Sequence, residues 1–300
     1  MSEFQIIYNP FANRGLTRHL LDDFLQILES RNMGYKLHET AAPGHATQIV
    51  QKIVESSCDT EIPRIVIAGG DGTIFECLNG FPDFAEAIFC ILPIGTGNDA
   101  ANALNIAKGI SDCAESLFQG HTQKFDYIVI NQQKDEAIKS NLFVSYGIAA
   151  EMVIAMQDFK TKNKLSYMKS LLMRILSYKS KVYQVYCGDD INEYLADFCA
   201  VHNSPIAGGG MRLVDNACMG DGMLDLLIVE YKGKMRRLLN LFSIFRKRLH
   251  LQPNVTVRRV ASVRINSPND DLCCIDGEIR RLNSTDVRIV QGGLNLIVPK

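Results

Sequence analysis

Residues 65–80 read IVIAGGDGTIFECLNG, and this one stretch constrains the fold more than any other. Ile65, Val66 and Ile67 read as a short central strand, Gly69 and Gly70 free the backbone for a sharp turn, and Ile74, Cys77 and Leu78 then recur at helical spacing. A strand that turns through glycine into a helix aims successive backbone N–H groups at the helix N-terminus. Unpaired donors and the helix dipole stabilise an anion there. A tight strand-to-helix connection that holds no ligand fits the same letters, since phosphate-binding and structural glycines look alike.

The flanking sequence repeats the theme. FQIIY, YKLHET, RIVIA and AIFCILP read as strands, while LTRHLLDDFLQILESRN and HATQIVQKIVESS carry apolar residues at helical spacing. DCAESLFQG closes a further helix on Gly120. This is the rhythm of a doubly wound, Rossmann-like α/β domain, a parallel sheet with helices on its faces whose ligands bind at the carboxyl ends of the strands. From about Lys124 the rhythm changes to short β-type runs: QKFDYIVIN, NLFVSYGIA, KVYQVYCG, FCAVHNS, LDLLIVEY, ASVRINS, LCCIDGE, VRIVQ and LNLIVP. Many short strands at close spacing predict a mainly antiparallel β-sandwich. The expected division is a nucleotide-binding α/β domain over 1–126 and a β-rich domain over 127–291, with about 292–300 able to pack back onto the first.

A chain of 300 residues, 47% hydrophobic and 22% charged, can bury a sizeable core. It has no apolar run approaching the ~18 residues that span a bilayer, and MSEFQIIYNP is no signal peptide, so a cytoplasmic protein is expected. Nine cysteines without a CxxC pair suggest reduced, buried thiols rather than a disulfide framework or zinc site. The net charge of −1 conceals an asymmetry: residues 1–126 hold 8 Lys/Arg against 16 Asp/Glu, and the remainder 24 against 17. Two segments concentrate the positive charge. DFKTKNKLSYMKSLLMRILSYKSK has seven basic residues and one acid, and YKGKMRRLLNLFSIFRKRLHL has seven and none. Both interleave charge with Leu, Ile, Phe and Met, which suits an interfacial helix near anionic lipid, and equally a soluble amphipathic helix whose cations face water.

Further loops fall at predicted strand ends. IIYNPFANRG leaves the first strand, HETAAPGHA the second, and CILPIGTGNDAA the fourth, entering a helix at Asp99. Each is a passable turn alone, but their common placement gathers small and polar residues where a parallel sheet binds ligands. No G-x-x-x-x-G-K-[ST] occurs and no G-x-G-x-x-G follows the first strand, which excludes a P-loop and a dinucleotide fingerprint.

The ordered set Asn9-Pro10, Thr40 with Gly44-His45-Ala46, GGDGTIFECLNG, PIGTGND, GGGMRLVDNACMGDGMLDLLIV and DGE at Asp276 to Glu278 resembles the bacterial soluble diacylglycerol kinases and related lipid kinases over nearly the whole chain. GGDGT alone is shared with 6-phosphofructokinases and NAD kinases; the GGGM…GDG segment and the late DGE narrow the resemblance to lipid kinases. It implies a nucleotide site on the first domain and phosphoryl transfer between the domains. Asn9, Pro10, Phe11, Ala12, Asn13, Thr40, Gly69, Gly70, Gly72, Thr73 and Thr96 would contact ATP. Phosphoryl transfer needs charge neutralisation and in-line positioning more than covalent help, which amides and hydroxyls of these types supply.

Asp71 lies inside the expected phosphate loop, where an acid would repel phosphate unless a cation intervened. Mg2+ bridging Asp71 to the nucleotide resolves that conflict, and a capping role for Asp71 on the following helix is the alternative. By resemblance, Asp126 approaches the same site and Glu278 is the general base for the lipid hydroxyl; read locally, Asp126 is a strand-edge acid and Asp276-Gly277 a hairpin turn that leaves Glu278 in water. CMGDGML resembles a structural metal loop, with the Asp221 side chain and the carbonyls of Cys218 and Met223 as ligands. Some relatives carry a second acid where this chain has Gly220, so a merely turn-forming Asp-Gly stays open.

The leading expectation is an ATP-dependent kinase of a diacylglycerol-like lipid that docks reversibly on an anionic membrane; a homodimer is compatible with it and nucleic-acid binding is not expected. Two alternatives stand beside it: a kinase of a soluble nucleotide or sugar, and a nucleotide or lipid sensor without turnover.

Overall fold

The computed structural model describes residues 3–56, 62–81, 87–106, 109–131, 137–158 and 164–300. Ser57 at the end of a predicted helix, Cys58, and residues 159–163 of the first basic segment lie outside the described residues. The chain forms two units, Met1–Tyr127 with Val290–Lys300, and Ile128–Ile289.

The first unit is built on strands β1 (Phe4–Tyr8), β2 (Tyr35–Glu39), β3 (Arg64–Gly69) and β4 (Ile88–Pro93). All pair in parallel, in the order β2-β1-β3-β4, and Asn295 and Leu296 of the last strand add to β4, also in parallel. Helices α1 (Arg18–Ser30), α2 (His45–Ser56), α3 (Asp71–Gly80), α4 (Asp99–Ala103) and α5 (Ile110–Gln119) connect them. Alternation decides what each face of the sheet meets. Phe4, Ile6, Tyr8, Val66, Ala68, Cys90 and Leu92 join α1 and α5 in one cluster, while Ile7, Ile65, Ile67 and Ile91 are buried as well. Helix α1 enters the core through Leu21, Phe24, Leu25 and Leu28, the i, i+3, i+4, i+7 pattern read from its sequence. At roughly 1.5–3 kcal/mol for each buried side chain, these hold the helix more firmly than its ends do, since Thr17 makes no side-chain cap bond.

The second unit is antiparallel. Strands β5 (His121–Asn131) and β6 (Ile138–Ser140) pair through Ile128 to Ile130, followed by β7 (Phe143–Gly147). Two helices, α6 (Ile148–Asp158) and α7 (Lys164–Ser177), precede β8 (Lys181–Cys187) and β9 (Asp190–His202). A short pair, β10 (Ile206–Ala207) and β11 (Met211–Arg212), leads to β12 (Leu224–Glu230), α8 (Lys234–Phe245), β13 (Val255–Val260), β14 (Ser262–Ile275) and β15 (Glu278–Val298). The sheet runs β13-β12-β9-β7-β14-β15, with β8 bridging β9 and β14.

Two sequence expectations fail here for physical reasons. NLFVSYGIA was expected to be a strand throughout, but β7 stops at Gly147, whose φ of +94° and close approach to the Asp197 carbonyl only a glycine tolerates. A Cβ there would lie 2.3 Å from that oxygen. The chain then turns into α6, a third helix in a region where only the two basic segments read as helical. VRIVQ and LNLIVP were expected as separate strands, whereas β15 continues through Gly292 and Gly293.

Candidate functional site

The glycine loop after β3 begins with its own steric demand. A Cβ on Gly69 would fall 2.4 Å from the Thr73 hydroxyl, and one on Gly95 would fall 2.4 Å from the Gly70 Cα. The loops after β3 and β4 therefore cross backbone on backbone, joined by the Gly95 N–H donating to the Gly69 carbonyl at 3.2 Å. Thr73 and Ile74 donate to the Gly70 carbonyl and start α3, whose N-cap Gly70 brings no side chain to the helix end.

Other carboxylates close the neighbouring helix ends. Asp71 accepts the Asp99 and Ala100 N–H groups, both at 3.0 Å, and so caps α4 rather than its own helix. Glu76 accepts the Gly44 N–H at 2.8 Å and the Ala46 N–H at 3.2 Å, and thereby caps α2. Acid on α2 and α4 satisfies donors that would otherwise attract an anion, whereas α3 has no side-chain cap on its first turn. The first turn of α3 thus lacks a side-chain cap, and its own acid Asp71 is turned to the neighbouring helix.

The loop after β1 is tied to the same place. Asn9 donates from Nδ2 to the Thr73 hydroxyl at 3.0 Å and accepts the Phe11 N–H on its own Oδ1. After Pro10 and Ala12 the backbone passes through Asn13, Arg14 and Gly15 at φ 45°, 61° and 79°. Two consecutive non-glycine residues in the left-handed region cost conformational energy and are sustained by the surrounding structure. The Thr96 hydroxyl donates to the side-chain Oδ1 of Asn13 at 3.5 Å, and Asn98, at φ 52°, donates its side-chain amide to the carbonyls of Pro93 and Gly95. Thr40 is buried at the end of β2 with its N–H on the Tyr8 carbonyl. Asn9, Gly69, Gly70, Gly72, Thr73, Asn13 and Thr96 are thus on three loops linked by hydrogen bonds or backbone contact, while Phe11 projects with 67% of its surface exposed. Glu76, Gly95, Asn98 and Asp99 were not chosen from the sequence. The PIGTGND letters held Gly95 and Asn98, but the reason for them lies in the crossing with Gly70.

Asp126 is buried in the first unit and accepts the Gly292 N–H at 2.7 Å. In the second unit, Asp276 and Gly277, at φ 49° and 96°, form the two-residue turn of the β14–β15 hairpin, and Ile275 pairs with Glu278. Glu278 is exposed, and its side chain carries no hydrogen bond or ion pair among the described residues. Asp276 is the opposite. Its buried carboxylate accepts the Ser140 hydroxyl at 2.7 Å and the N–H groups of Asn141, Leu142 and Phe143 at 2.9, 3.1 and 2.9 Å. Burial pushes its pKa up to about 6 against the pull of those four donors. The hairpin that carries Glu278 is thus moored to the β6–β7 turn by the preceding acid, a role the sequence did not reveal.

At the expected metal loop, Asp221 accepts the Met223 N–H on Oδ1 at 3.0 Å and the Arg259 guanidinium on Oδ2 at 2.5 Å. Cys218 is exposed. Among the described residues no group of three His, Cys, Asp or Glu side chains is gathered for a metal. The second unit also holds a cavity of about 140 Å³, lined mostly by apolar side chains that include Met152, Val153, Phe198, Leu241 and Ile244.

The family described as diacylglycerol kinase catalytic domain matches residues 3–130, and the YegS C-terminal NAD kinase beta sandwich-like domain matches residues 142–298. A diacylglycerol kinase of Staphylococcus epidermidis is 29% identical over 283 residues, covering 91% of this chain and 85% of its own. One from Staphylococcus saprophyticus is 28% identical, covering 91% and 88%. The crystal structure of a diacylglycerol kinase from Bacillus anthracis superposes with a TM-score of 0.74 at 20% identity, covering 99% of this chain and 96% of that one; at that identity the likeness shows the fold.

Proposed function

The chain belongs to the family that joins a diacylglycerol kinase catalytic domain to a YegS-type C-terminal domain, and from this premise we propose that it transfers the γ-phosphoryl group of ATP to a hydroxyl of a diacylglycerol-like lipid. The observation that carries the lipid half of this reading is the apolar cavity of the second unit, which offers hydrocarbon a dry wall and offers a sugar or nucleotide almost nothing to bond. The α3 N-terminus, open where α2 and α4 are capped by acids, supports the phosphate half.

On this reading the parallel sheet of the first unit is Rossmann-like, and Asn9 to Asn13, Thr40, Gly69 to Thr73 and Thr96 bind ATP. The Gly70 and Gly72 amides and the Thr73 and Thr96 hydroxyls supply donors for phosphate oxygens. Asp71 fits a magnesium ion: both of its oxygens accept a backbone N–H yet each keeps a further lone pair, and magnesium asks for only one or two carboxylates beside phosphate and water. The ion would neutralise phosphate charge beside Asp71. Asp126 holds β15 through Gly292, a positioning role within the first unit. Glu278 accepts the proton of the lipid hydroxyl, and Asp276 fixes the turn from which it projects. The Cys218–Met223 loop fits a structural cation poorly, because Arg259 already neutralises Asp221.

Purified protein with labelled ATP and magnesium, offered diacylglycerols, NAD and sugar phosphates, tests the reading. Label should appear in the lipid fraction; label confined to a water-soluble product would transfer the assignment to the soluble-substrate kinases. Glu278→Gln should retain ATP binding while phosphoryl transfer falls by about 10²–10⁴, and full activity in that variant would remove Glu278 as the base.

A further inference from the structure

Helix α8 lines the cavity of the second unit with Arg237, Asn240, Leu241 and Ile244 among others, the i, i+3, i+4, i+7 set of one helical face. Its two polar members are treated differently by their surroundings. Arg237 donates to both oxygens of the buried Asp197, at 3.0 Å from Nε and 2.6 Å from Nη2, and to the carbonyls of Ile175 and Tyr178 at 2.9 Å. Its Nη2 also reaches the Ser180 hydroxyl at 2.9 Å. Asn240 is 5% exposed, and neither its Oδ1 nor its Nδ2 has a hydrogen-bond partner among the described residues. Ser243, the remaining buried polar residue of α8, donates to the Leu239 carbonyl at 2.8 Å.

A buried amide that bonds nothing lowers stability where a leucine would not. Its place in the cavity wall gives the amide a use: whatever enters the cavity can complete it.

The chemistry of that missing partner is narrow. Walls such as Met152, Val153 and Phe198 favour hydrocarbon. At about 140 Å³ the cavity is smaller than a site that encloses a whole small molecule, roughly 300–1,000 Å³, so it takes a length of chain. Oδ1 only accepts and Nδ2 only donates, so a full partner does both. An ester carbonyl only accepts and leaves Oδ1 bare. A carboxylate also only accepts, and it would need a cation where Arg237 is already given to Asp197. A trans amide carries its N–H and C=O on opposite edges and cannot meet both atoms of one side chain. A hydroxyl donates and accepts from a single oxygen.

We propose that Asn240 is a specificity-determining residue of the cavity, and that the lipid it selects carries a hydroxyl on its hydrocarbon chain, donating to Oδ1 and accepting from Nδ2. The inference rests on the reading of this cavity as the lipid site and sharpens the substrate class. The chain hydroxyl is distinct from the one that takes phosphate, whose oxygen must stay free to attack.

Calorimetric titration of the whole chain with 1,2-dihexanoylglycerol, and with derivatives that add one hydroxyl at successive carbons of an acyl chain, tests this without turnover. One derivative should bind at least about tenfold tighter than the plain lipid, the equivalent of one net hydrogen bond. Asn240→Leu should reverse that order, because the hydroxyl would then lose water and find nothing to bond. Its circular dichroism spectrum and urea midpoint should not fall below the parent's. A merely structural Asn240 would leave the order of preference unchanged. Equal affinity of the parent for all these lipids overturns the inference and leaves the amide to water, and so does a preference that survives Asn240→Leu. The parental order needs no variant, so it decides the matter even if Asn240→Leu fails to fold. A preference for the hydroxylated chain in a protein that transfers no phosphate refutes the kinase reading alone; transfer to the plain lipid without that preference refutes this inference alone. No binding of any of these lipids overturns the inference together with the lipid reading of the cavity.

Discussion

Arg237→Met is the substitution whose cost the structure defines most closely. The Arg237 and Asp197 side chains are 3% and 4% exposed, so the change leaves a carboxylate buried with only the Ser180 hydroxyl, at 2.7 Å, as a side-chain donor. Breaking one side of a buried pair costs about 3–5 kcal/mol, because the remaining charge has lost its partner and gained no water. The carbonyls of Ile175 and Tyr178 lose their donor as well. For a chain of this size a urea slope of roughly 3 kcal/mol per molar turns a loss of about 4 kcal/mol into a midpoint lower by about 1.3 M. The assay is equilibrium unfolding in urea, followed by circular dichroism, for the parent, Arg237→Met, and Arg237→Met with Asp197→Leu. Removing both charges should restore the stability to within about 1 kcal/mol of the parent, since an apolar pair of similar volume replaces an ion pair at little net cost. A single variant that loses less than about 1 kcal/mol would refute the burial argument. A double variant no better than the single would show that lost packing, rather than an orphaned charge, was responsible.

Asp276 makes the second unit's stability pH-dependent in an unusual sense. Its folded pKa of about 6 lies above the ordinary 3.8, so the folded state holds a proton that the unfolded chain has released. The associated stability is fully present below pH 3.8 and is lost as the pH rises through 6, about 3 kcal/mol across the window. Asp276→Asn should remove this component, so that its urea midpoints, measured from pH 4 to 7, fall less steeply than the parent's. Gly95→Ala should force the β3 and β4 loops apart at Gly70 and abolish ATP binding in a calorimetric titration; unchanged affinity would mean that the crossing is not part of the nucleotide site. Asp71→Ala should uncap α4 at a cost of about 1–2 kcal/mol, read from thermal unfolding, in addition to any loss of activity.

The elements of the first unit were legible because each buries a face at its own period: Leu21, Phe24, Leu25 and Leu28 on α1, and the unbroken Ile65-Val66-Ile67 of a strand buried on both sides. The antiparallel character of the second unit was legible from its many short runs. Helix α6 was hidden because IAAEMVIAMQD is apolar on almost every side and so shows no period, and because what ends β7 is a contact between Gly147 and Asp197, fifty residues away in sequence. The site divides in the same way. Glycine spacing marked the loops, but the identity of the helix that Asp71 caps depends on the β3 and β4 loops meeting. Arg237 looked like one cation among seven until the distant Asp197 and the carbonyls of α7 distinguished it.

The last strand gives synthesis of this chain a particular timetable. Residues 1–127 leave the ribosome with β4 still lacking the neighbour that Asn295 and Leu296 later provide. At roughly 5–20 residues per second, the intervening 160 or so residues keep that edge waiting for about 10–30 s. An unpaired edge in a nascent chain is a template for pairing with the wrong strand. A fragment ending at Tyr127 would keep the glycine loop yet carry the open edge of β4 permanently, and is expected to aggregate more readily than the whole chain.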